Sequence, residues 1–424
     1  LIKDTSFLFP NTTFDYNSLY GKLRPYLNKV YIAQFDGVCS TDILVFPQSS
    51  HISNKFIAYR FLSPDFVSFA SQRVSGVQHP RVSWKDIGQF SLYLPPLSEQ
   101  QRIVTKIEEF FTRLDAGVEA LKKIKVQLKR YRQAVLKYAF EGKLTEKWRE
   151  AHKDELEPAS VLPERIKAER KKQLGNKYKE PPPVDASKLY ELPKGWAQAT
   201  LAEIAEIVLG QSPPSSTYNK DHHGLPFYQG KAEFGSFYPT PQQWCSSPKK
   251  IVQKNDVLIS VRAPVGPTNI CPDISCIGRG LAAIRPLGEI NSFFLLYLLR
   301  AAEHEIAGKG TGTTFDAITG EQLRSFDFPL PPLPEQERIT EEIERHFSVA
   351  DEVEQIIDQS LKRAQGLRQS ILKQAFEGKL VPQDPNDEPA EKLLERIKAE
   401  KARIEEEKKA KKVTSRKGKK KGAK

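Results

Sequence analysis

Apolar residues at Ile103, Ile107, Phe111, Leu114, Val118, Leu121, Leu128, Tyr131 and Val135 recur at steps of mostly three and four, with charged residues between them. That period predicts one helix of about 40 residues, roughly 60 Å long, carrying a single narrow apolar seam. Pro95 and Pro96 stop any preceding strand, Ser98 reads as the N-cap with Glu99 in the first turn, and Gly142 reads as the stop. A second seam runs through Ile339, Ile343, Phe347, Ala350, Val353, Ile357, Leu361, Ala364, Leu367 and Ile371, on a helix that starts near Glu335. Outside these helices the pattern shortens. KVYIAQF and STDILVF predict strands in residues 1–93, with a short helix over Asn54–Leu62. VLISVR and LAAIRP predict strands in 192–329, and FFLLYLLRAAEHEIA a helix.

The two helices belong to one repeated block. LPPLSEQQRI begins at Leu94 and LPPLPEQERI at Leu330. At this offset of 236, residues 94–144 align with 330–380 without a gap and with 22 identities in 51 positions. Both copies close on AFEGKL, at Ala139 and at Ala375. EPASVLPERIKAE at Glu157 is echoed by EPAEKLLERIKAE at Glu388. Two copies are too few for a solenoid, so the chain reads as a duplicated unit with internal pseudo-symmetry.

The boundaries follow. Residues 1–93 form a first mixed domain, 94–144 a long helix and 145–191 a polar linker marked by PPP at Pro181. Residues 192–329 form a second mixed domain, 330–380 a second long helix, and 381–424 a C-terminal helix with a basic tail. A narrow seam of this length is not stable in water alone and needs a partner seam. Two matched helices predict pairing with each other. Antiparallel pairing places the mixed domains at opposite ends about a two-fold axis, parallel pairing places both on one side, and pairing with another protein is the alternative. The expected fold class is α+β: two mixed α/β domains separated by two long helices in an antiparallel coiled coil, with internal pseudo-two-fold symmetry.

Composition narrows the picture further. Of 424 residues, 39% are hydrophobic and 28% charged, which fits a soluble chain with room for two or three domains. The apolar run at Phe293–Leu299 is far short of a membrane span. Four cysteines in no framework point to a reducing cytoplasm. The net charge of +12 is mostly tail: residues 408–424 hold ten Lys or Arg and no acid, leaving about +2 on the body. The tail reads either as a solvated run or as a non-specific phosphate contact. The chain has no methionine and opens on Leu1. The second unit begins at LPKGW (Leu192), roughly 138 residues before its LPPL, whereas 93 residues precede the first LPPL. The first unit is therefore expected to lack its N-terminal part.

Several chemistries are missing from the sequence. GKGTGTTF at Gly308 is glycine-rich but follows a helix and lacks the Gly-Lys-Ser/Thr ending of a nucleotide loop. No adenine-methylation motif, nuclease core or spaced zinc-ligand pairs can be read. The remaining signal is polar and aromatic. Lys22 and Arg24 lie beside Tyr20 and Tyr26, and GQSPPSSTY, FYQGK and SVRAP follow in the second domain. Such residues can read base edges, while lysines and backbone amides hold phosphates. By position the candidates are Lys22, Arg24, Arg73, Ser75 and Arg81 in the first domain. In the second they are Gln211, Ser212, Tyr218, Gln229, Lys231, Arg262, Lys309, Thr311 and Thr313. In the repeat register, Arg73 and Ser75 fall opposite Lys309 and Thr311.

A mixed domain ending in LPPL-x-EQ-x-RI, then a long helix closing in AFEGKL, all duplicated, resembles the DNA-specificity subunit of type I restriction–modification systems. The resemblance covers nearly the whole chain. It implies two target-recognition domains, each reading one half of a bipartite asymmetric site on double-stranded DNA. It implies two methyltransferase subunits as partners, bringing S-adenosylmethionine, and restriction/translocase subunits using ATP and Mg²⁺. No cofactor, metal or catalytic residue is implied for this chain, and no membrane. A coiled-coil adaptor that binds only proteins is the alternative.

Overall fold

The computed structural model describes residues 12–13, 17–185, 191–309, 317–403 and 406. It divides into two compact units, 1–123 with 356–424, and 124–355. Each unit therefore holds the start of one long helix and the end of the other.

The first unit is built on a three-stranded antiparallel sheet in the order Val30–Ile32, Ser18–Gly21, Ile43–Phe46. Alternation along the central strand buries Ser18 and Tyr20 on one face. Tyr20 meets Phe61 and Phe66 with ring centroids 5.5 Å away in both cases. Those phenylalanines sit on helices Asn54–Phe61, capped by the Ser53 hydroxyl, and Pro64–Ser71, opened by proline at its first position. The apolar layer continues into Ile103, Val104 and Ile107 at the start of the first long helix, and into Leu372 and Ala375 at the end of the second.

The first long helix spans Leu97–Phe140, so Ser98 lies inside its first turn and is not the N-cap. The Gln100 side chain does the local work, donating to the Pro95 carbonyl at 2.9 Å, while the Ser98 hydroxyl donates to Asp387 at 2.6 Å. Asp387 also takes a two-pronged bond from Arg102 (3.1 and 2.5 Å). Beyond it a helix over 390–403 returns to the unit, where Glu400 meets His51 at 3.0 Å.

The second unit holds two larger sheets. One is four-stranded and antiparallel, ordered Thr268–Ile270, Val257–Ser260, Leu281–Pro286, Ala205–Leu209. The other has five strands, ordered Ile251–Val252, Ser275–Ile277, Leu225–Tyr228, Gln243–Cys245, Tyr218–Asn219, with Ser275–Ile277 running parallel to Leu225–Tyr228. The predicted single helix after Asn291 is two: Ser292–Ala301, buried from Phe294 to Leu299, and Glu303–Gly308, in which only Ile306 is buried. The turn at Ala302 re-aims a charged segment that could not follow the apolar one inward. The expected polar linker carries helices among its described residues. It contains helices Glu146–His152 and Val161–Leu174, and Leu162 and Ile166, one turn apart, bury into the core of this unit.

The second long helix spans Leu333–Phe376 and, like the first, has 44 residues. The two pair antiparallel: partners rise in number along one helix as they fall along the other. In the first unit Arg368 bonds Asp115 and lies over the Phe111 ring at 4.6 Å. In the second, Lys125 meets Glu354 at 3.5 Å, Arg132 meets Asp351 at 2.6 Å, and Tyr131 bonds His346 at 2.7 Å. At the repeat offset Asp115 corresponds to Asp351 and Arg368 to Arg132, so each unit carries the same ion pair with the donor and acceptor helices exchanged. Two expected seam residues, Tyr131 and Leu367, are exposed instead. The arginines next to them turn inward and bond across the pair. No described helix is long and apolar enough to cross a membrane.

Candidate nucleic-acid interface

In the first unit the backbone gathers four of the five candidates. The Arg24 amide donates to Pro80, the Val82 amide donates to Lys22, and Ser75 and Arg81 exchange both backbone bonds at 2.8 and 2.9 Å. The Ser75–Arg81 bridge closes a loop whose Gly76 takes φ +88°, a conformation that disfavours any side chain. Its tip presents Val77, 99% exposed. Arg24 itself stands at φ +52° and is exposed, with Tyr26 and Leu27 exposed directly after it. Arg81 is already engaged, its guanidinium meeting Asp42 at 3.1 Å. The Arg73 guanidinium lies over the Phe69 ring at 3.7 Å, which holds an otherwise flexible cation at the surface.

In the second unit glycines bring three loops together. A Cβ on Gly210 would stand 2.1 Å from the Gly278 carbonyl oxygen, and one on Gly280 would stand 2.2 Å from that of Gln229. Only bare backbone permits these approaches. They set Gln211 and Ser212 beside the Gly278–Gly280 turn, where the Ser212 hydroxyl accepts from the Arg279 amide at 3.2 Å. Gln229 and Lys231 lie on the next loop, and the Gln229 amide donates to Gln243 at 3.0 Å. The Val261 amide donates to Gly280, which places exposed Arg262 at the same junction. Arg279 is exposed there too and was missed in the sequence reading, although its Gly-Arg-Gly setting was a usable signal.

Other candidates lie apart. Tyr218 is half-buried against Phe227 and spends its hydroxyl on the Pro213 carbonyl at 2.8 Å, so it shapes the loop rather than offering a free group. Burial pushes that hydroxyl above the ordinary tyrosine range. Lys309 sits over the Phe326 ring at 4.7 Å. Thr311 and Thr313 lie outside the described residues, but the chain re-enters at Ala317, bridged to Arg262. A stacked pair, His222 on Trp244 with centroids 3.7 Å apart, gives this unit an exposed aromatic edge that the sequence did not single out.

The described side chains at these surfaces offer hydrogen bonding, charge and stacking. Among the described residues no three His, Cys, Asp or Glu side chains group to hold a metal. Cys271 and Cys276 are buried and pushed up to about 11 by desolvation, far from a reactive thiolate.

The chain holds a duplicated α/β design: each unit carries a segment of both long helices and exposes glycine-shaped loops rich in amides and cations. The chain belongs to the family described as type I restriction modification DNA specificity domain, whose profile matches residues 9–130 and 193–363. It is 41% identical over 197 residues to the MjaX type I restriction enzyme specificity subunit of Methanocaldococcus jannaschii, a match covering 46% of this chain. The match spans 45% of that relative, so this chain covers under half of its length. A solved structure of the HsdS subunit from Thermoanaerobacter tengcongensis is similar with a TM-score of 0.55 and 32% identity, over 87% of this chain and 82% of that one. A chain from a structural study of assembly and conformational transition in the type I R-M system gives 0.63 and 34%, over 87% and 83%.

Proposed function

We propose that this chain is the sequence-reading subunit of a type I restriction–modification complex, acting in the cytoplasm and doing no covalent chemistry itself. Each unit reads one half of a bipartite, asymmetric site on double-stranded DNA. Two methyltransferase subunits and the restriction/translocase subunits are its partners, and S-adenosylmethionine, ATP and Mg²⁺ act on them. The observation that carries this reading is the glycine junction of the second unit. Gln211, Gln229, Lys231, Arg262 and Arg279 converge there on a surface whose backbone can approach another backbone closely. Glutamine pairs with adenine edges and arginine with guanine edges in the major groove, while lysine and bare amides hold phosphates. Lys22, Arg24, Arg73, Ser75 and Arg81 take the corresponding roles in the first unit, and Lys309, Thr311 and Thr313 add to those of the second. With only about +2 on the body, affinity must come from local placement rather than from overall charge.

Methylation mapping in cells carrying the system reports both half-sites directly. A gel shift on that duplex, with and without a methyltransferase partner, then tests this chain. Arg279→Ala and Arg262→Ala are expected to relax discrimination at the second half-site, at about 1–3 kcal/mol per lost base contact. Lys231→Ala is expected to weaken binding uniformly and flatten its salt dependence. Unchanged affinity and specificity in all three would remove the junction from the interface. A chain that binds partners but no duplex would be an adaptor.

A further inference from the structure

We propose that the turn Ser246–Lys250 of the second unit is a clamp on the DNA backbone, with Lys249 and Lys250 as positioning residues that hold phosphates beside the bases met by the glycine junction. The inference rests on the DNA reading above and adds to it the groups that set its register.

Strand pairing places both lysines. Ile251–Val252 runs antiparallel to Ser275–Ile277, with Ile251 opposite Cys276. One residue earlier, Lys250 stands opposite Ile277, whose amide donates to the Lys250 carbonyl at 3.1 Å. In the same register Lys249 falls opposite Gly278. On the other side Ser275–Ile277 runs parallel to Leu225–Tyr228, with Ile277 opposite Tyr228, so Gly278 falls opposite Gln229. Lys249, Gly278 and Gln229 therefore stand side by side at the end of three neighbouring strands. The Gln211 amide donates to the Ile277 carbonyl at 3.2 Å, and exposed Arg279 follows Gly278, so both flank the middle of that row.

The turn is held in place by its backbone, which leaves its cations free. The Ser246 amide and hydroxyl both donate to the Thr217 carbonyl, at 3.1 and 3.3 Å, and the Lys249 and Lys250 amides bond toward the Cys276 sulfur. Both lysine side chains are exposed. Residues 246–255 hold three lysines and no acid, and among the described residues neither Lys249 nor Lys250 forms an ion pair. The buried acid of the next strand, Asp256, is taken by Arg285 at 2.8 Å.

An ammonium is a compact point charge without the planar fork that matches a base edge, so its partner on a duplex is a phosphate. Two strand spacings, about 10 Å, separate Lys249 from Gln229. The major groove is about 12 Å wide, so lysines at that offset reach its phosphate wall while Gln229 and Arg279 face base edges. Lys254 carries the same charge at the far end of the strand, away from Gly278, and serves as the control.

The test uses the chain assembled with its methyltransferase partner and the duplex found by methylation mapping, in gel shifts across a salt series. Lys249→Ala with Lys250→Ala is expected to flatten the slope of log affinity against log salt by about 1.8, or about 0.9 for each phosphate contact. Affinity should fall about tenfold or more near physiological salt, by the same factor on the mapped duplex and on one altered in the second half-site. Lys249→Arg with Lys250→Arg should keep the slope, and Lys254→Ala should leave it unchanged. Neutral methylphosphonates placed singly along the second half-site should weaken the parent at one or two adjacent positions and leave the double alanine variant indifferent there. An unchanged slope in that variant, an equal effect of Lys254→Ala, or no methylphosphonate position that weakens the parent alone would each overturn the clamp and leave the DNA reading intact. A parent that does not prefer the mapped duplex would overturn that reading and the clamp with it.

Discussion

Glu335→Gln is the substitution that most directly tests how the second unit is locked to its helix. The Glu335 side chain is fully buried and accepts from Arg149 at 2.6 Å, Thr145 at 2.7 Å and Trp196 at 2.8 Å. Glutamine keeps the volume but removes the charge and replaces one acceptor by a donor, so one of the three donors must face an N–H. Breaking a buried charge pair from one side costs about 3–5 kcal/mol. Arg149 keeps its bond to the Gly142 carbonyl at 3.0 Å, which favours the lower end, about 3 kcal/mol. For a cooperative unit of roughly this size each kcal/mol lowers the midpoint by about 2–4 °C, so a drop of roughly 6–12 °C is expected. Calorimetry of the chain reads it, with tryptophan fluorescence in a Trp84→Phe background assigning the transition to this unit. Arg149→Met combined with Glu335→Leu is expected to recover part of the loss, because no uncompensated charge remains while Thr145 and Trp196 still lack an acceptor. A shift below about 2 °C for Glu335→Gln would refute the reasoning, since the network would then contribute less than one ordinary hydrogen bond.

Three further outcomes are expected. The bonds from Arg102 and Ser98 hold the Asp387 carboxyl below its usual range, so its contribution is present above the unfolded value near 4 and is lost as pH falls through the lowered one. Asp387→Asn should therefore lower the melting temperature at pH 7, and the two proteins should converge in acid below about pH 4; a constant difference across that window would exclude the linkage. Of the four thiols, only Cys39 is partly accessible, so a maleimide at pH 7.5 should label one cysteine in the native chain and four after denaturation; rapid native labelling of a second would contradict the burial. Glu99→Gln, by removing a desolvated charge whose pKa burial already raises, should stabilise the chain as pH rises above the carboxylate range, opposite in sign to Glu335→Gln; destabilisation at pH 8 would refute the desolvation cost.

The elements with a strong period were legible, and the side chains that depend on distant partners were not. The helices at Leu97–Phe140 and Leu333–Phe376 follow from seams that repeat over about nine turns. The strands at Val257–Ser260 and Leu281–Pro286 follow from apolar runs bounded by turn residues. Ser98 was misread as a cap because a serine after proline satisfies the local rule, whereas the bond it makes is to Asp387, 289 residues away. The ordered helix Val161–Leu174 was hidden because only Leu162 and Ile166 of its charged sequence are buried, too few to mark a period. Glu335 drew attention only as a helix start; its role depends on Trp196, 139 residues earlier, and no local pattern connects them. At the candidate interface, glutamine and arginine beside glycine pointed to loops that the fold brings close to one another. Which of them share a junction depends on the backbone contacts of Gly210, Gly278 and Gly280.

The arginines that displaced Tyr131 and Leu367 from the seam suggest what fixes the register of the pair. A seam of mostly aliphatic residues at steps of three and four fits its partner almost equally well after a slip of one heptad. The pairs Arg132–Asp351 and Asp115–Arg368 do not, because a slip that moves each partner up by seven sets Arg368 against Lys122 and leaves Asp115 and Asp351 against Ala375 and Ala139. Arg132→Leu together with Arg368→Leu should then preserve helix content by circular dichroism while releasing the register. The reporter is a Tyr131→Cys, His346→Cys pair, placed where the parent side chains bond at 2.7 Å. With both arginines present, mild oxidation should cross-link this pair and not Tyr131→Cys with Val353→Cys, one heptad further on. With both leucines the second cross-link should appear at the expense of the first. An unchanged cross-link pattern in the leucine variant would mean that the apolar seam alone sets the alignment and that the duplicated ion pair adds only the few tenths of a kcal/mol usual for a surface contact.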